Sequence, residues 1–391
     1  MAHEQWRSHL DYIITLLGYG VGSGAFIRFP FYCMRNGGGA YLILFMFFTI
    51  IGTIPCVFLE MTIGQFSQSG PIKVWNMCPA FKVVLVDAVV GGQDDVLVGD
   101  ILVYITVILP YILILVFLIR GCLLPGSADG IYYFIFPKFD KLTDPKVWIH
   151  SCRYALFSMG IAMGCIITMS GHNRKDNNCF RDAIIICLMD SLSNVFFGFA
   201  FFCIVGHVAF QRGVTVEAFE SSGYDLAFIV YPEVLSALPL PPLWSVMTFL
   251  TFMLLAIDSA APSVELIIAA LEDMFPRLMK RRWLIIGAVL LSLFLFGLIY
   301  ISQGGIYVVT LMDWYAYFPS TAVFGILECI AVICCYSFYS YRPPKYGDYI
   351  YPAWATTLGW LISFSSLLPF PIVFIWTVYK TQGGTVKEVN T

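Results

Sequence analysis

Gly18-Tyr-Gly-Val-Gly-Ser-Gly-Ala-Phe-Ile-Arg-Phe-Pro30 decides the fold. It lies inside an apolar run from Leu10 to about Cys33, and a bilayer span needs roughly 20 such residues. Four glycines fall within seven positions, at Gly18, Gly20, Gly22 and Gly24. Each costs about 1 kcal/mol relative to alanine in a helix interior. The run is therefore expected to open near mid-membrane. Open backbone is tolerated at that depth only where it lines a cavity or holds a ligand. A half-helix starting at Ser23 or Gly24 would present free N–H groups that favour an anion, while carbonyls of the opened turn could hold a cation. Glycines alone fit a kinked, closely packed span equally well. Arg28 shifts the balance, because an arginine this close to a span is costly unless it faces a pore or a partner.

Outward from this stretch, composition fixes the class. The chain has 391 residues, 59% hydrophobic and only 12% charged, with a mean hydropathy of +0.81. Soluble domains carry about 25% charged residues. This is an all-α polytopic membrane protein, with the lipid bilayer as its first partner. The net charge of −3 gives no reason to expect nucleic acid. No cleavable signal peptide is expected, since the polar Met1–His9 leads straight into the first span. Most of the 12 cysteines sit in apolar runs and read as small core residues. No nucleophile–base pair or metal motif emerges, so enzyme chemistry is not expected.

About nine spans follow from the apolar runs. After the first come 40–63, 101–119, 147–171, 183–210, 242–271, 283–301, 306–339 and 353–379. The stretch 121–146 reads as a loop. The basic cluster at Arg277, Lys280, Arg281 and Arg282 places its loop in the cytoplasm. The fourth span is also glycine-broken, at Gly160 and Gly164. Two discontinuous helices at matching places in two halves are the sequence pointer to a transporter site. Asp190, Asp258, Ser259 and Asp313 sit in or beside apolar runs, where each needs a partner or an ion.

The residues resemble the neurotransmitter:sodium symporters. The first stretch, Asn36-Gly-Gly-Gly-Ala40, Leu59-Glu-x-x-x-Gly-Gln65, Arg120-Gly-x-x-Leu-Pro-Gly126, Asn177-Asn-Cys-Phe-Arg-Asp182, Ile257-Asp-Ser259 and Gln303-Gly-Gly-x-Tyr-Val308 recur in family order. Ser337-Phe-Tyr, Tyr346-Gly-Asp-Tyr-Ile-Tyr-Pro352 and Leu358-Gly-Trp360 are most similar to the glycine-transporter branch. The resemblance implies an inverted-repeat fold in one transmembrane domain over residues 1–391. Residues 1–120 would be a first-repeat remnant, 147–340 the second repeat and 353–379 a last span. It implies sodium-coupled symport of a small, glycine-like amino acid by alternating access at the plasma membrane. Amine carriers of the family have an aspartate where this chain has Gly22.

Site roles follow from the resemblance position by position. One sodium site would use carbonyls of Gly18, Val21 and Leu255 with the side chains of Asp258 and Ser259. A second, altered sodium site would use Gly20, Ser158 and Asp190, with Ala25 in place of a family asparagine. Substrate would sit against Gly22, Ser23, Gly24, Phe157, Ser158 and Gly160. Arg28 with Asp313 would form the outer gate and His3 with Asp273 a weakened inner one. Sodium is the implied ion. Chloride is not expected, because Phe45, Tyr154 and Asn194 replace family chloride ligands.

The resemblance also implies gaps. Family helices three and four have no counterpart after Lys82, and helix eleven none near Tyr336. The alternative function is therefore a truncated isoform that does not transport, or a regulatory partner of a full-length relative, poorly represented at the cell surface.

Overall fold

A computed structural model of the chain describes residues 6, 8–68, 100–216, 235, 240–274, 282–312, 321, 323–330, 345–346 and 349–350. Contacts divide the chain into two units, 1–332 and 333–391. Within the second, the described residues form one two-residue antiparallel ladder, pairing Lys345 with Ile350 and Tyr346 with Tyr349.

The first unit is helical. α1 (His9–Gly20) opens on a capping box in which the Ser8 hydroxyl and the Asp11 carboxylate satisfy each other's backbone N–H. It ends where the glycines begin, and α2 (Ser23–Arg35) restarts after Val21 and Gly22 at a 48° bend. The first span is thus broken where the glycines fall. The second is continuous over Gly39–Ser67. It comprises α3 (Gly39–Phe48), a π-helical turn (Thr49–Thr53) and α4 (Ile54–Ser67).

α5 (Asp100–Cys122) is the third span. The fourth is two pieces, α7 (Pro145–Ser158) and α8 (Cys165–Gly171), separated by residues 159–164. Gly160, Ala162 and Gly164 all have positive φ there. α9 (Cys179–Arg212), α10 (Pro241–Met274) and α11 (Arg282–Ile301) complete the long helices. α12 (Gly305–Leu311) and the helical stretch 323–330 follow. Among the described residues, five helices are long and apolar enough to cross a membrane, or six with the bent α1–α2 pair as one. Most of the eighth expected span and all of the ninth lie outside the described residues.

One expectation is corrected. Residues 121–146 are not simply a loop, because α6 (Ser127–Ile135) lies within them. Gly126, at φ +85°, turns the chain. Gly130 then rests on the backbone of Phe202 and Gly206, where any Cβ would collide. Phe134 stacks on Phe202 at 4.9 Å. Nine residues are too short to register as a span, and glycine contact with another helix is invisible to local composition.

α9 is the hub, packing against α2, α4, α5 and α6. A helix buried on most of its faces is apolar all round, and α9 buries residues along its whole length. Two apolar clusters flank the first break. Phe26, Phe29 and Cys33 of α2 join Phe45, Tyr154, Phe197 and Phe202 in one. Tyr12 and Leu16 of α1 join Val57, Met61, Met159 and Ile186 in the other. Each half of the broken span is thereby fixed separately, which holds the opened turn between them. In contrast, no residue of Trp283–Ile301 in α11 is buried.

Candidate functional site

The first break faces α10 on one side and the second break on the other. Val21 ends α1 and donates its N–H to Leu17 at 2.8 Å. Gly22 leads α2 with extended backbone and no side-chain cap. The turn therefore has both uncapped donors and carbonyls that leave the α-helical pattern, the two requirements for binding an anion and a cation at one place.

On the α10 side, Ser259 donates from Oγ to the Tyr19 carbonyl at 3.4 Å. A Cβ on Gly22 would overlap Ser259 Oγ and lie 4.0 Å from the Leu255 carbonyl. A Cβ on Gly18 would lie 3.6 and 3.7 Å from Cβ and Cγ of Asp258. Thr106 of α5 hydrogen-bonds the Asp258 carboxylate. Gly18, Val21, Leu255, Asp258 and Ser259 are therefore brought together. A carboxylate, a hydroxyl and carbonyls around glycine-sized gaps are hard oxygen donors that suit an alkali cation.

On the other side, Asp190 of α9 is buried. Ser158 donates from Oγ to Asp190 Oδ2 at 2.6 Å. Asn194 donates from Nδ2 to Ser158 Oγ at 3.1 Å and to the Asp190 carbonyl at 2.9 Å. Tyr154 donates from Oη to Asn194 Oδ1 at 2.7 Å and lies 3.3 Å from the Gly24 carbonyl. Of these bonds, only that from Ser158 Oγ reaches the Asp190 carboxylate. Its other oxygen, Oδ1, is buried with no donor among the described residues. That oxygen faces Gly20, 3.7 Å from where a Cβ would stand. An orphaned carboxylate oxygen aimed at an opened backbone turn fits a cation, since burying it unpaired costs several kcal/mol. Phe45 packs on Tyr154 with ring centroids 5.7 Å apart, so Phe45, Tyr154 and Asn194 are linked to one another beside Asp190.

Residues expected to line the substrate lie between the breaks. A Cβ on Gly24 would meet Phe157 at 3.4 Å. Arg28 lies over the Phe157 ring, its Cζ 4.8 Å from the centroid, a cation–π contact. Gly160, at φ +61°, receives a hydrogen bond from Tyr19 Oη at 3.4 Å on its carbonyl. Tyr19 thus ties the first break to the second. His3, Asp313 and the side chains of Ser23 and Asp273 lie outside the described residues, so both expected gate pairs do too.

Sequence reasoning missed several groups. Tyr19 lay within the opening motif but was given no role of its own, and Thr106 carried no motif signal. At the other end of α1, His9 Nε2 lies 2.9 Å from Asp182 Oδ2, and Trp6 donates from Nε1 to the Met169 carbonyl at 2.9 Å. These contacts fasten the start of α1 to α8 and α9. Asp182 ended a quoted motif, but nothing in the sequence paired it with His9, which is 173 positions away.

Comparison with known proteins gives a consistent result. Residues 3–92, 95–341 and 329–381 match the profile described as "Sodium:neurotransmitter symporter family". The chain is 25% identical to a sodium- and chloride-dependent glycine transporter 2 of Xenopus laevis, covering 100% of this chain and 71% of the relative. It is 28% identical to a sodium-dependent dopamine transporter of Bos taurus, covering 99% and 76%. It is 27% identical to the human sodium- and chloride-dependent creatine transporter 1, covering 98% and 85%. The first alignment runs over 560 positions against 391 residues here, so the relative carries internal segments without a counterpart in this chain. The profile match is interrupted at 92–95 and overlaps itself at 329–341, close to the two places where helices are expected to be missing.

Proposed function

Because the chain belongs to the sodium:neurotransmitter symporter family, whose members couple membrane transport of small molecules to sodium, we propose that it is a sodium-coupled symporter of a small amino acid. The observation that carries this reading is the placement of Asp258 and Ser259 against the opened turn Gly18–Gly22. Sodium would be held there by the Asp258 carboxylate, the Ser259 hydroxyl and backbone carbonyls. A second sodium would sit between Gly20, Ser158 and Asp190. The substrate carboxylate would take the uncapped N–H groups of α2, beside Gly22, Ser23, Gly24 and Gly160, under Phe157 and Arg28. Arg28 with Asp313 and His3 with Asp273 would gate the two ends. Gly22 leaves the turn without the acidic side chain an amine would need, so a glycine-like zwitterion fits better than dopamine or creatine. The plasma membrane is the corresponding location.

Chloride has no role in this reading. Some relatives are named chloride-dependent, but here a buried carboxylate already supplies negative charge beside Tyr154 and Asn194. Binding of radiolabelled glycine to purified protein tests both points. Binding is expected to require sodium, to resist competition by dopamine, and to stay within error when gluconate replaces chloride. A steep loss in gluconate would restore a chloride site. Binding without sodium would refute the coupling.

A second reading is supported by the internal segments that relatives have and this chain lacks. A chain without part of its scaffold would bind sodium yet fail to cycle, acting on or alongside a full-length relative.

A further inference from the structure

Cys122 Sγ lies 3.6 Å from Cys203 Sγ, and neither the sodium positions nor the substrate uses either thiol. Cys122 is the last residue of α5 and is exposed, whereas Cys203 is buried in α9. The sulfurs meet because glycine lets the two helices touch backbone to side chain. A Cβ on Gly121 would stand 2.9 Å from Cys203 Cβ, where no side chain fits. The turn that follows is docked on α9 as well. Gly126 rests on Phe210 and Gly130 on the backbone of Phe202 and Gly206. His207 Nδ1 lies 2.8 Å from the Pro125 carbonyl. Main-chain docking on both sides thus holds the thiols together. Bringing the sulfurs to the roughly 2.05 Å of a disulfide needs only about 1.5 Å of closure.

The pair lies on the face away from the cytoplasm. α10 ends at Met274, just before the basic cluster that opens at Arg277 and marks the cytoplasmic side. Thr106 of α5 meets Asp258 well inside α10. Farther along α5, Phe117 packs on Trp244 at the start of α10, with ring centroids 5.4 Å apart. α5 therefore runs antiparallel to α10, and Cys122 stands at its outer end. The space outside the cell and the lumen of the secretory compartments are oxidising, whereas the cytoplasm keeps thiols reduced.

We propose that Cys122 and Cys203 are a redox modification site, oxidised to an intramolecular disulfide by a small-molecule disulfide, RSSR, of the glutathione type. Access assigns the roles, with exposed Cys122 reacting first and buried Cys203 resolving. Cys122 Sγ bonds to one sulfur of RSSR, the S–S bond breaks, and the departing RS⁻ takes the Cys122 proton. Cys203 Sγ then attacks the Cys122 sulfur, and the second RS⁻ leaves with the Cys203 proton. The protein gives up two electrons and two protons, and RSSR becomes two RSH. The new bond joins residues 81 positions apart. It staples α5, whose Thr106 partners Asp258, to α9, which carries Asp190. A cross-link that closes a long loop restricts the unfolded chain, so the oxidised form is the more stable one.

The test uses the whole chain, purified, reduced and held in lipid nanodiscs, so that it does not depend on transport. Oxidised glutathione is added, remaining thiols are alkylated, and digested peptides are mapped by mass spectrometry. The wild type is expected to yield a linked pair of peptides containing Cys122 and Cys203, separated again by dithiothreitol. Its unfolding midpoint should rise several degrees above that of the reduced protein. Cys203→Ala is expected to stop at the mixed disulfide, with glutathione retained on Cys122 and no such rise. Cys122→Ser is expected to leave Cys203 unmodified, because the buried thiol has no route to the oxidant. If a variant does not fold, the wild-type peptide map decides. Glutathione retained on Cys122 of the wild type would overturn the proposal. So would a link from Cys122 to any other cysteine, or free thiols at both positions after oxidation.

Discussion

Asp258→Ala is expected to abolish the stabilisation of the purified protein by sodium. The reasoning is mass action. An ion that binds only the folded state adds about 2.7 kcal/mol when present at 100 times its dissociation constant. In the wild type the unfolding midpoint should therefore climb by several degrees between choline and sodium buffers of equal ionic strength. Asp258 is the charged member of the group around Gly18 and Gly22, with Ser259 beside it. Without its carboxylate, carbonyl and hydroxyl dipoles alone must offset the dehydration of the ion. The Asp258→Ala midpoint in sodium should coincide with its midpoint in choline. Asp258→Asn separates charge from shape, because it keeps a partner for Thr106 and should lose most of the same response. A full sodium response in both variants would move the dominant site to Asp190.

Gly160→Ala is expected to destabilise the protein by roughly 3 kcal/mol. A left-handed residue with a Cβ costs about 1–2 kcal/mol. Overfilling a packed site adds about 1–3 kcal/mol, and the new methyl would overlap Tyr19, lying 2.8 and 2.9 Å from its Cζ and Cε1. Because Tyr19 carries the first break and Gly160 the second, the displaced ring should also disturb the sodium position. Gly24→Ala is the control. Its nearest neighbour is Phe157 at 3.4 Å, so the cost should stay near that of one crowded contact. Adding Tyr19→Ala to Gly160→Ala should recover the part due to overlap but not the backbone part, a coupling readable in a double-mutant cycle. Unfolding midpoints and size-exclusion profiles measure all five proteins: the wild type, Gly160→Ala, Tyr19→Ala, the double variant and Gly24→Ala. A Gly160→Ala protein as stable as the wild type would show that the second break does not need its left-handed turn.

Both breaks were legible in the sequence because their cause is local. Glycine clusters weaken a helix wherever they occur, and a span interrupted by Gly18–Gly24 or Gly160–Gly164 has few other ways to fold. Asp258 and Ser259 were legible for a related reason, since polar side chains in an apolar run need a partner. Features set by distant contacts were not. Helix α6 depends on Gly130 meeting the backbone of Phe202. The π-helical turn at Thr49–Thr53 shifts backbone hydrogen bonds without any change in hydrophobic pattern. Glu60 was visible as a motif residue, but its bond to Ala162 spans 102 positions, and nothing local marks Ala162 as left-handed. The pairing of His9 with Asp182 is of the same kind.

Sodium-driven accumulation by the chain alone tests the central claim most directly. The purified 391-residue protein, and its Asp258→Ala variant, would be placed in sealed vesicles under an inward sodium gradient with radiolabelled glycine outside. Dopamine would be tested alongside. Sodium-coupled symport predicts glycine accumulation above the outside concentration, none for dopamine, collapse of the signal when choline replaces sodium, and no accumulation by the variant. Sodium-dependent glycine binding without accumulation, restored when the missing segments are supplied from a relative, would contradict symport by this chain and leave it a non-transporting member of its family.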